Sequence, residues 1–173
     1  MSPLVKEIRK GIFAAAIAFL TLMLSACGSN GSAAVPVVSM YELQKSMLAA
    51  DSTLPEMSSV NGSAENAEES FAYLSKLPYE KVEAYFLAYS AYGKADEIAV
   101  IAVKDTADLT AAKKSLDASV EGRLELYKQY DPTQVSRVEE ALVFTEGRYA
   151  VLIISDNADA VRTAFSAFIA DAE

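Results

Sequence analysis

The chain has 173 residues, of which 52% are apolar, and its 15 Lys and Arg against 24 Asp and Glu give a formal net charge of −9. This length suits one domain with an appendage. The chain has no His and one Cys, which excludes a Ser-His-Asp triad, a Cys-His dyad and an imidazole zinc site. The acidic charge, without a basic patch, argues against nucleic acid as a partner.

The N-terminal residues have the layout of a signal peptide. Lys6, Arg9 and Lys10 precede an apolar run over residues 12–24. That run is shorter than the roughly 20 residues that a helix needs to cross a bilayer. We therefore predict a targeting segment rather than a permanent membrane span.

The apolar run ends at Leu24-Ser25-Ala26-Cys27, which resembles the lipobox of bacterial lipoproteins. The resemblance implies that the Cys27 thiol receives diacylglycerol and that the signal peptide is cleaved between Ala26 and Cys27. Two acyl chains would hold a protein stably at a membrane, whereas one binds only reversibly. An ordinary secretory signal, an uncleaved membrane anchor and a buried structural Cys are the competing interpretations.

The sequence therefore divides into three predicted parts. These are a signal peptide over 1–26, the lipidated Cys27 with a flexible tether over 27–38, and a single α+β domain over 39–173. The predicted location is the outer face of the bacterial cytoplasmic membrane. Anionic lipid head groups repel an acidic surface, so we expect membrane contact through the lipid on Cys27 alone.

The domain is predicted to begin with an N-terminal helix. Ser39 and Glu42 form a capping box, and Val38 and Leu43 are placed as a hydrophobic staple. The helix is expected to stop before Pro55.

A polar segment over 56–70 is predicted to be a mobile loop, with a weak helix over 67–76. Two β-rich runs, 82–92 and 98–103, then flank Gly93. Alternating or continuous β-forming residues around a turn predict a β-hairpin.

The remaining elements follow from caps, apolar spacing and turns. They are a long helix that begins after Asp105, a short helix that begins at Asp131-Pro132, strands at 141–145 and 149–154, and a final helix capped by Asp156. The basic residues of the long helix are expected on its solvated side: Lys113, Lys114, Arg123 and Lys128.

Residues 98–108 resemble residues 149–159. Apolar positions match apolar positions, and Asp105 coincides with Asp156. Duplication of a ββα unit and convergence of two strand-to-helix junctions both explain this similarity. Either origin predicts the same arrangement of elements.

Two ββα units predict an α+β fold. We expect a four-stranded, mainly antiparallel sheet packed by two long helices on one face, together with the N-terminal helix. The runs 98–103 and 149–154 are apolar on both sides of the strand, so the sheet needs a second cover. The first helix with the loop before Val82, or else a protein partner or a second copy of the chain, is predicted to provide it.

No cofactor or metal site is predicted. The seven Gly are scattered, and no Gly-rich phosphate loop can be written from them. Asp105, Thr106 and Asp108 resemble a loop of oxygen ligands but lack the Gly and the distal Glu of a calcium site. Helix capping explains these residues better.

In so acidic a chain, the pairs of adjacent acids Asp96-Glu97 and Glu139-Glu140 do not stand out as a glycosidase couple. Adjacent side chains point apart on a strand or a helix. We therefore expect solvated surface acids, since catalysis would need one acid to be buried.

Tyr85, Tyr89 and Tyr92 lie at nearly strand spacing. They could form a stacking platform for sugars or peptides, although core packing is the commoner use of such residues. The sequence leaves open whether these tyrosines, or Asp96 and Glu97, form a site.

The sequence also resembles an uncharacterised lipoprotein family of Gram-positive bacteria known as a domain of unknown function, DUF4358. The resemblance spans most of residues 54–168 and implies no catalytic residue. It rests on Leu54-Pro55-Glu56-Met57, Ala95-Asp96-Glu97-Ile98-Ala99-Val100, Tyr130-Asp131-Pro132 and Gly147-Arg148-Tyr149-Ala150-Val151-Leu152.

The expected function is that of a membrane-anchored extracytoplasmic lipoprotein with a non-catalytic domain that binds a ligand or a protein partner. A carboxylate-dependent cell-wall hydrolase is one alternative. An assembly subunit of a cell-surface complex is another.

Overall fold

The computed structural model describes residues 37–172, which belong to one compact unit. The predicted signal peptide, Cys27 and most of the tether lie outside the described residues. Among the helices of 37–172, none combines the length and the apolarity that a bilayer crossing requires.

Five antiparallel strands form one sheet in the order β1-β2-β3-β5-β4. The strands are β1 (Met57–Asn61), β2 (Val82–Ser90), β3 (Glu97–Val103), β4 (Leu142–Glu146) and β5 (Tyr149–Ile154). The helices are α1 (Met40–Ala49), α2 (Ala67–Leu74), α3 (Leu109–Tyr130), α4 (Val135–Glu139) and α5 (Ala158–Ala170), with 3₁₀ turns at Tyr79–Lys81, Thr106–Asp108 and Pro132–Gln134.

The α+β class and the N-terminal helix are confirmed. The Ser39 hydroxyl accepts a hydrogen bond from the Glu42 backbone N–H at 3.4 Å, as a helix N-cap does. Val38 packs against the cluster that buries Leu43. The predicted capping residue and hydrophobic contact therefore lie where this helix begins.

The prediction of four strands is wrong because β1 adds a fifth. This strand lies in the segment predicted to be a loop, and it pairs with β2 from Met57 opposite Ser90 to Asn61 opposite Phe86. Three of its five residues are polar, and none of the five is fully buried, as an edge strand permits. The local sequence is a weak signal for such a strand, because pairing with a neighbouring strand determines its conformation.

The prediction that both long helices lie on one face of the sheet is also wrong. Side chains of a strand alternate between faces, so Ala99, Ile101 and Val103 pack in the core under α2, α3 and α4. Ile98 and Val100 pack in a second core with α1 and α5. Because the central strands are apolar on both sides, both faces are covered by helices of the same chain. Binding of a partner or a second copy through the sheet stays a prediction.

The similarity between the two ββα units extends to the strands but not to the helices. Ile98 and Tyr149, which correspond in the repeat, face the same core, whereas the helices that follow cover opposite faces.

Asp105 accepts a hydrogen bond from Ala107 N–H at 2.9 Å, as predicted for a cap. Within residues 37–172 Asp156 makes no such bond, so its predicted capping role is wrong.

The N-cap position of the final helix, α5, is occupied by Asn157 rather than by Asp156. The carboxylate of Asp156 instead accepts hydrogen bonds from the Arg137 guanidinium, at 2.9 Å from Nε and 2.5 Å from Nη2. The Asp156 carboxylate is therefore engaged in a bidentate pair with Arg137, which is among the stronger kinds of hydrogen-bonded pair, and not in a capping bond.

Candidate functional site

A buried ion pair joins the start of β3 to α3. The Glu97 side chain is fully buried, and its Oε2 contacts Nη2 of Arg123, whose side chain is 25% exposed. Within residues 37–172, the Glu97 carboxylate has no hydrogen-bond partner beyond this ion pair, and Nε of Arg123 has none. Both groups therefore keep unused hydrogen-bonding capacity inside the protein.

Burial raises the pKa of Glu97 from 4.5 to about 7, although the Arg123 guanidinium opposes the shift. Removal from water disfavours a charged carboxylate, and the nearby positive charge only partly compensates. Glu97 is thus an acid whose charge changes near neutral pH. The prediction that Asp96 and Glu97 are surface acids is wrong, since both are buried, whereas Glu139 and Glu140 are exposed as predicted.

A groove of about 370 Å³ opens beside Arg123, and we call it the tyrosine groove. It lies between α2 and the first two strands of the sheet. The groove is lined by two exposed or partly exposed tyrosines, two polar side chains, two apolar side chains and one arginine. These residues are Val60, Asn66, Ser70, Tyr73, Leu87, Tyr89 and Arg123.

Several groups of the tyrosine groove are available to a ligand. Tyr73 is 77% exposed and Tyr89 is 42% exposed. Across the described part of the chain, neither the Asn66 amide nor the Ser70 hydroxyl takes part in a side-chain hydrogen bond. The groove therefore presents aromatic rings, free polar groups and one guanidinium together.

The three tyrosines that lie at nearly strand spacing in the sequence do not form one platform. Tyr85 is buried, donates a hydrogen bond to the Ala67 carbonyl at 2.6 Å and contacts Phe71 edge to face. Tyr92 lies beyond the end of β2 and donates to Glu56 at 2.6 Å. Only Tyr89 lines the groove, where it is joined by Tyr73, which the sequence pattern did not indicate.

Arg123 was predicted on the solvated side of α3, and this prediction is wrong. Its position is seven residues after the buried Leu116 and four before the buried Tyr127. Residues at these spacings share a helix face. That spacing is the signal that could have placed Arg123 on the buried side.

A second polar network lies at the same end of the sheet. Arg137 Nη1 donates to the buried Asp96 at 2.9 Å, and the same guanidinium binds Asp156. Burial raises the pKa of Asp96, and the charge of Arg137 opposes the shift. Gln134 accepts from Ala95 N–H at 3.2 Å. This network joins α4 to the β2–β3 turn and the end of β5.

A third network surrounds Asp51, just after α1. Its carboxylate accepts hydrogen bonds from the Ser155 hydroxyl at 2.5 Å, from Asn157 Nδ2 at 2.8 Å and from Thr53 N–H at 2.8 Å. Burial by itself raises the pKa of Asp51, but these hydrogen bonds together hold it well below its usual range. Since the carboxylate is fully bonded, its role is to tie α1 to the junction between β5 and α5.

No cluster of three or more metal-ligating acids or cysteines occurs within residues 37–172. Asp105 and Asp108, which resemble oxygen ligands of a metal in the sequence, both make other interactions in the structure. Asp105 caps the turn before α3, and Asp108 forms an ion pair with Lys81 at 2.6 Å.

The titration of Glu97 predicts that stability depends on pH. Because its pKa is raised in the folded state, the folded chain retains a proton that the unfolded chain releases between pH 4.5 and about 7. We expect the free energy of unfolding to fall as pH rises through this window, by up to roughly 3 to 4 kcal/mol at ~1.4 kcal/mol per pKa unit.

Urea denaturation at several pH values between 5 and 8 measures this dependence. Glu97→Gln should remove most of the slope and leave the smaller contribution of Asp96, whose pKa is shifted in the same direction. The exposed Glu139→Gln is the control and should keep the wild-type slope. An identical slope in wild type and Glu97→Gln would contradict the assignment.

The structure thus defines a class of protein: an α+β domain with a groove that ends at a buried ion pair. The model of the family described as a domain of unknown function, DUF4358, matches residues 57–155. The chain belongs to this family. The matched range includes all five strands, the tyrosine groove and the Glu97–Arg123 pair, whereas α1 and α5 lie outside it.

No curated protein matches the chain, and no solved structure does.

Proposed function

We propose that this protein is a lipid-anchored lipoprotein on the outer face of the bacterial cytoplasmic membrane and that its domain binds a ligand without catalysing a reaction. The observation that carries the binding role is the tyrosine groove, which presents exposed rings and free polar groups. A concave site with a few placed polar groups is typical of ligand binding. The anchor is supported by the sole Cys in a lipobox-like setting.

Binding is favoured over carboxylate catalysis because the groove lacks the necessary pair of acids. Glycoside hydrolysis commonly uses two carboxyl groups that lie roughly 5 to 9.5 Å apart across the scissile bond. Among the described residues that line the groove, none is Asp or Glu. Glu97 lies behind Arg123 and is held by it.

One observation favours the second candidate, a carboxylate-dependent cell-wall hydrolase. Glu97 is a buried acid with a raised pKa, and its Arg123 partner lines a groove. A general acid requires such an environment. Release of soluble fragments from purified cell wall by the wild-type chain, with loss of this release in Glu97→Gln, would establish the hydrolase and overturn the binding role.

The anchor is tested by labelling cells with radioactive palmitate. We expect wild-type protein to incorporate the label and to sediment with membranes, because the lipid is attached at Cys27. Cys27→Ala should lose the label and accumulate as an unprocessed or released precursor.

Ser29→Ala is the matched control, since it lies close to the lipobox-like residues without belonging to them. This variant should be labelled like wild type. Undiminished labelling of Cys27→Ala would show that the lipid is attached elsewhere or not at all, and the proposed anchor would be wrong.

A further inference from the structure

We propose that the tyrosine groove binds a small molecule that carries both a ring and a carboxylate, and that Arg123 holds the carboxylate. This inference rests on the proposed binding function and deepens it by naming the class of ligand. It follows from the charge, the aromatic surface and the size of the groove.

Arg123 is the single cation among the described residues that line the groove. A guanidinium has five N–H donors in one plane and binds carboxylates in a bidentate manner. Nη2 is in contact with Glu97, and a quarter of the Arg123 side chain is exposed where it lines the groove. The ligand carboxylate is therefore expected to meet the exposed part of this side chain rather than the buried Nε.

The two tyrosines provide the surface for a ring. Tyr73 and Tyr89 are exposed at the groove, and Val60 and Leu87 add apolar contacts. Tyrosine rings pack against other rings face to face with an offset or edge to face. A volume of about 370 Å³ is near the lower end of small-molecule sites, which range from about 300 to 1,000 Å³. This size suits a single ring with a short acidic substituent.

An incoming carboxylate would place two anions around one guanidinium. The second anion is tolerated if Glu97 takes up a proton from solvent at its carboxylate, which restores the charge balance. The groups that face Glu97 are Arg123 and Tyr127 from α3 and Tyr89 from β2, with Asp96 beside it in the chain. Because Glu97 titrates near pH 7, carboxylate binding should weaken between pH 6 and pH 8.

The test uses the full chain in lipid nanodiscs, with the methyl NMR signals of Val60 and Leu87 as reporters. The two acidic probes are phenylacetate, which carries an aromatic ring, and N-acetylmuramate, which carries a sugar ring. Their uncharged counterparts are 2-phenylethanol and N-acetylglucosamine, and 2-phenylethylamine is the cationic probe. We expect at least one acid to shift both reporters with an affinity at least tenfold higher than that of its uncharged counterpart.

Variants then test whether Arg123 is responsible for the binding that shifts the methyl signals. Glu97→Gln removes the competing anion, so it should bind the acid at least threefold more tightly at pH 8 and lose the pH dependence. The double variant Arg123→Gln with Glu97→Gln keeps the buried pair uncharged, which protects folding, and should bind the acid at least tenfold more weakly than Glu97→Gln alone. Lys114→Gln, exposed on the same helix, should bind like wild type.

The outcomes separate this inference from the proposed function. If an uncharged or cationic probe shifts the reporters as strongly as the acids, the carboxylate assignment is overturned and the binding function stands. Equal acid affinity in Glu97→Gln and the double variant likewise overturns the role of Arg123. If none of the probes shifts either methyl signal, both the ligand class and the binding role of the groove are overturned.

Discussion

Replacing Arg123 with Ala is expected to lower the free energy of unfolding by about 3 to 5 kcal/mol at pH 8. The Glu97 side chain is fully buried, and Arg123 provides its one ion pair within residues 37–172. Removing one partner of a buried pair leaves an uncompensated charge away from water. Urea denaturation followed by circular dichroism measures the loss, since the chain has no Trp for fluorescence.

Two comparisons decide whether the loss of stability in Arg123→Ala comes from the Glu97 carboxylate, which is left buried without its ion-pair partner. Adding Glu97→Gln to Arg123→Ala should recover most of the stability, because no charge is then left buried. Lys113→Ala removes an exposed ion pair to Asp117 in the same helix, and such pairs contribute about 0 to 1 kcal/mol. A loss in Arg123→Ala no greater than that in Lys113→Ala would show that the buried pair has no special role in stability.

The loss in Arg123→Ala should itself depend on pH. Below the pKa of Glu97, about 7 in the wild-type chain, the acid is increasingly uncharged. A neutral carboxyl costs less to bury than a charged one. We therefore expect a smaller destabilisation at pH 5 than at pH 8.

Replacing Asp51 with Ala is expected to cost about 3 kcal/mol. Its carboxylate accepts from Ser155, Thr53 and Asn157 in a largely buried position. Loss of the acceptor leaves the buried Ser155 hydroxyl unsatisfied, at about 1 to 3 kcal/mol, and also removes the hydrogen bonds from the more exposed Thr53 and Asn157. Denaturation in urea at pH 7 measures the effect. Asp117→Ala is the matched control, since that side chain is exposed, and it should cost less than about 1 kcal/mol.

The Asp51 contribution has the opposite pH dependence to that of Glu97. Because the pKa of Asp51 is lowered by folding, its stabilisation is present above the unfolded value of about 3.8 and is lost as the pH falls further. Asp51→Ala and wild type should therefore converge in stability in strong acid. Equal stabilities of the two chains at pH 7 would mean that the network around Asp51 contributes nothing.

Local signals in the sequence were sufficient for most elements of the domain. The Ser39 cap, the hairpin around Gly93, the apolar spacing of the long helix and the strand over 149–154 all predict elements that the structure contains. Each of these signals acts over a few residues, through capping, turn conformation or side-chain periodicity. The continuous apolar runs also showed correctly that both faces of the sheet must be covered.

The tertiary structure decided the features that depend on residues far apart in the chain. β1 exists because it pairs with β2, and the choice of face for α3 and α5 depends on how the whole sheet is covered. The same holds for the candidate site, where Glu97 at the start of β3 meets Arg123 more than twenty residues later. Both residues look solvated in sequence because a charge is normally left in water. Only the packing of α3 on the sheet removes that water and makes each the partner of the other.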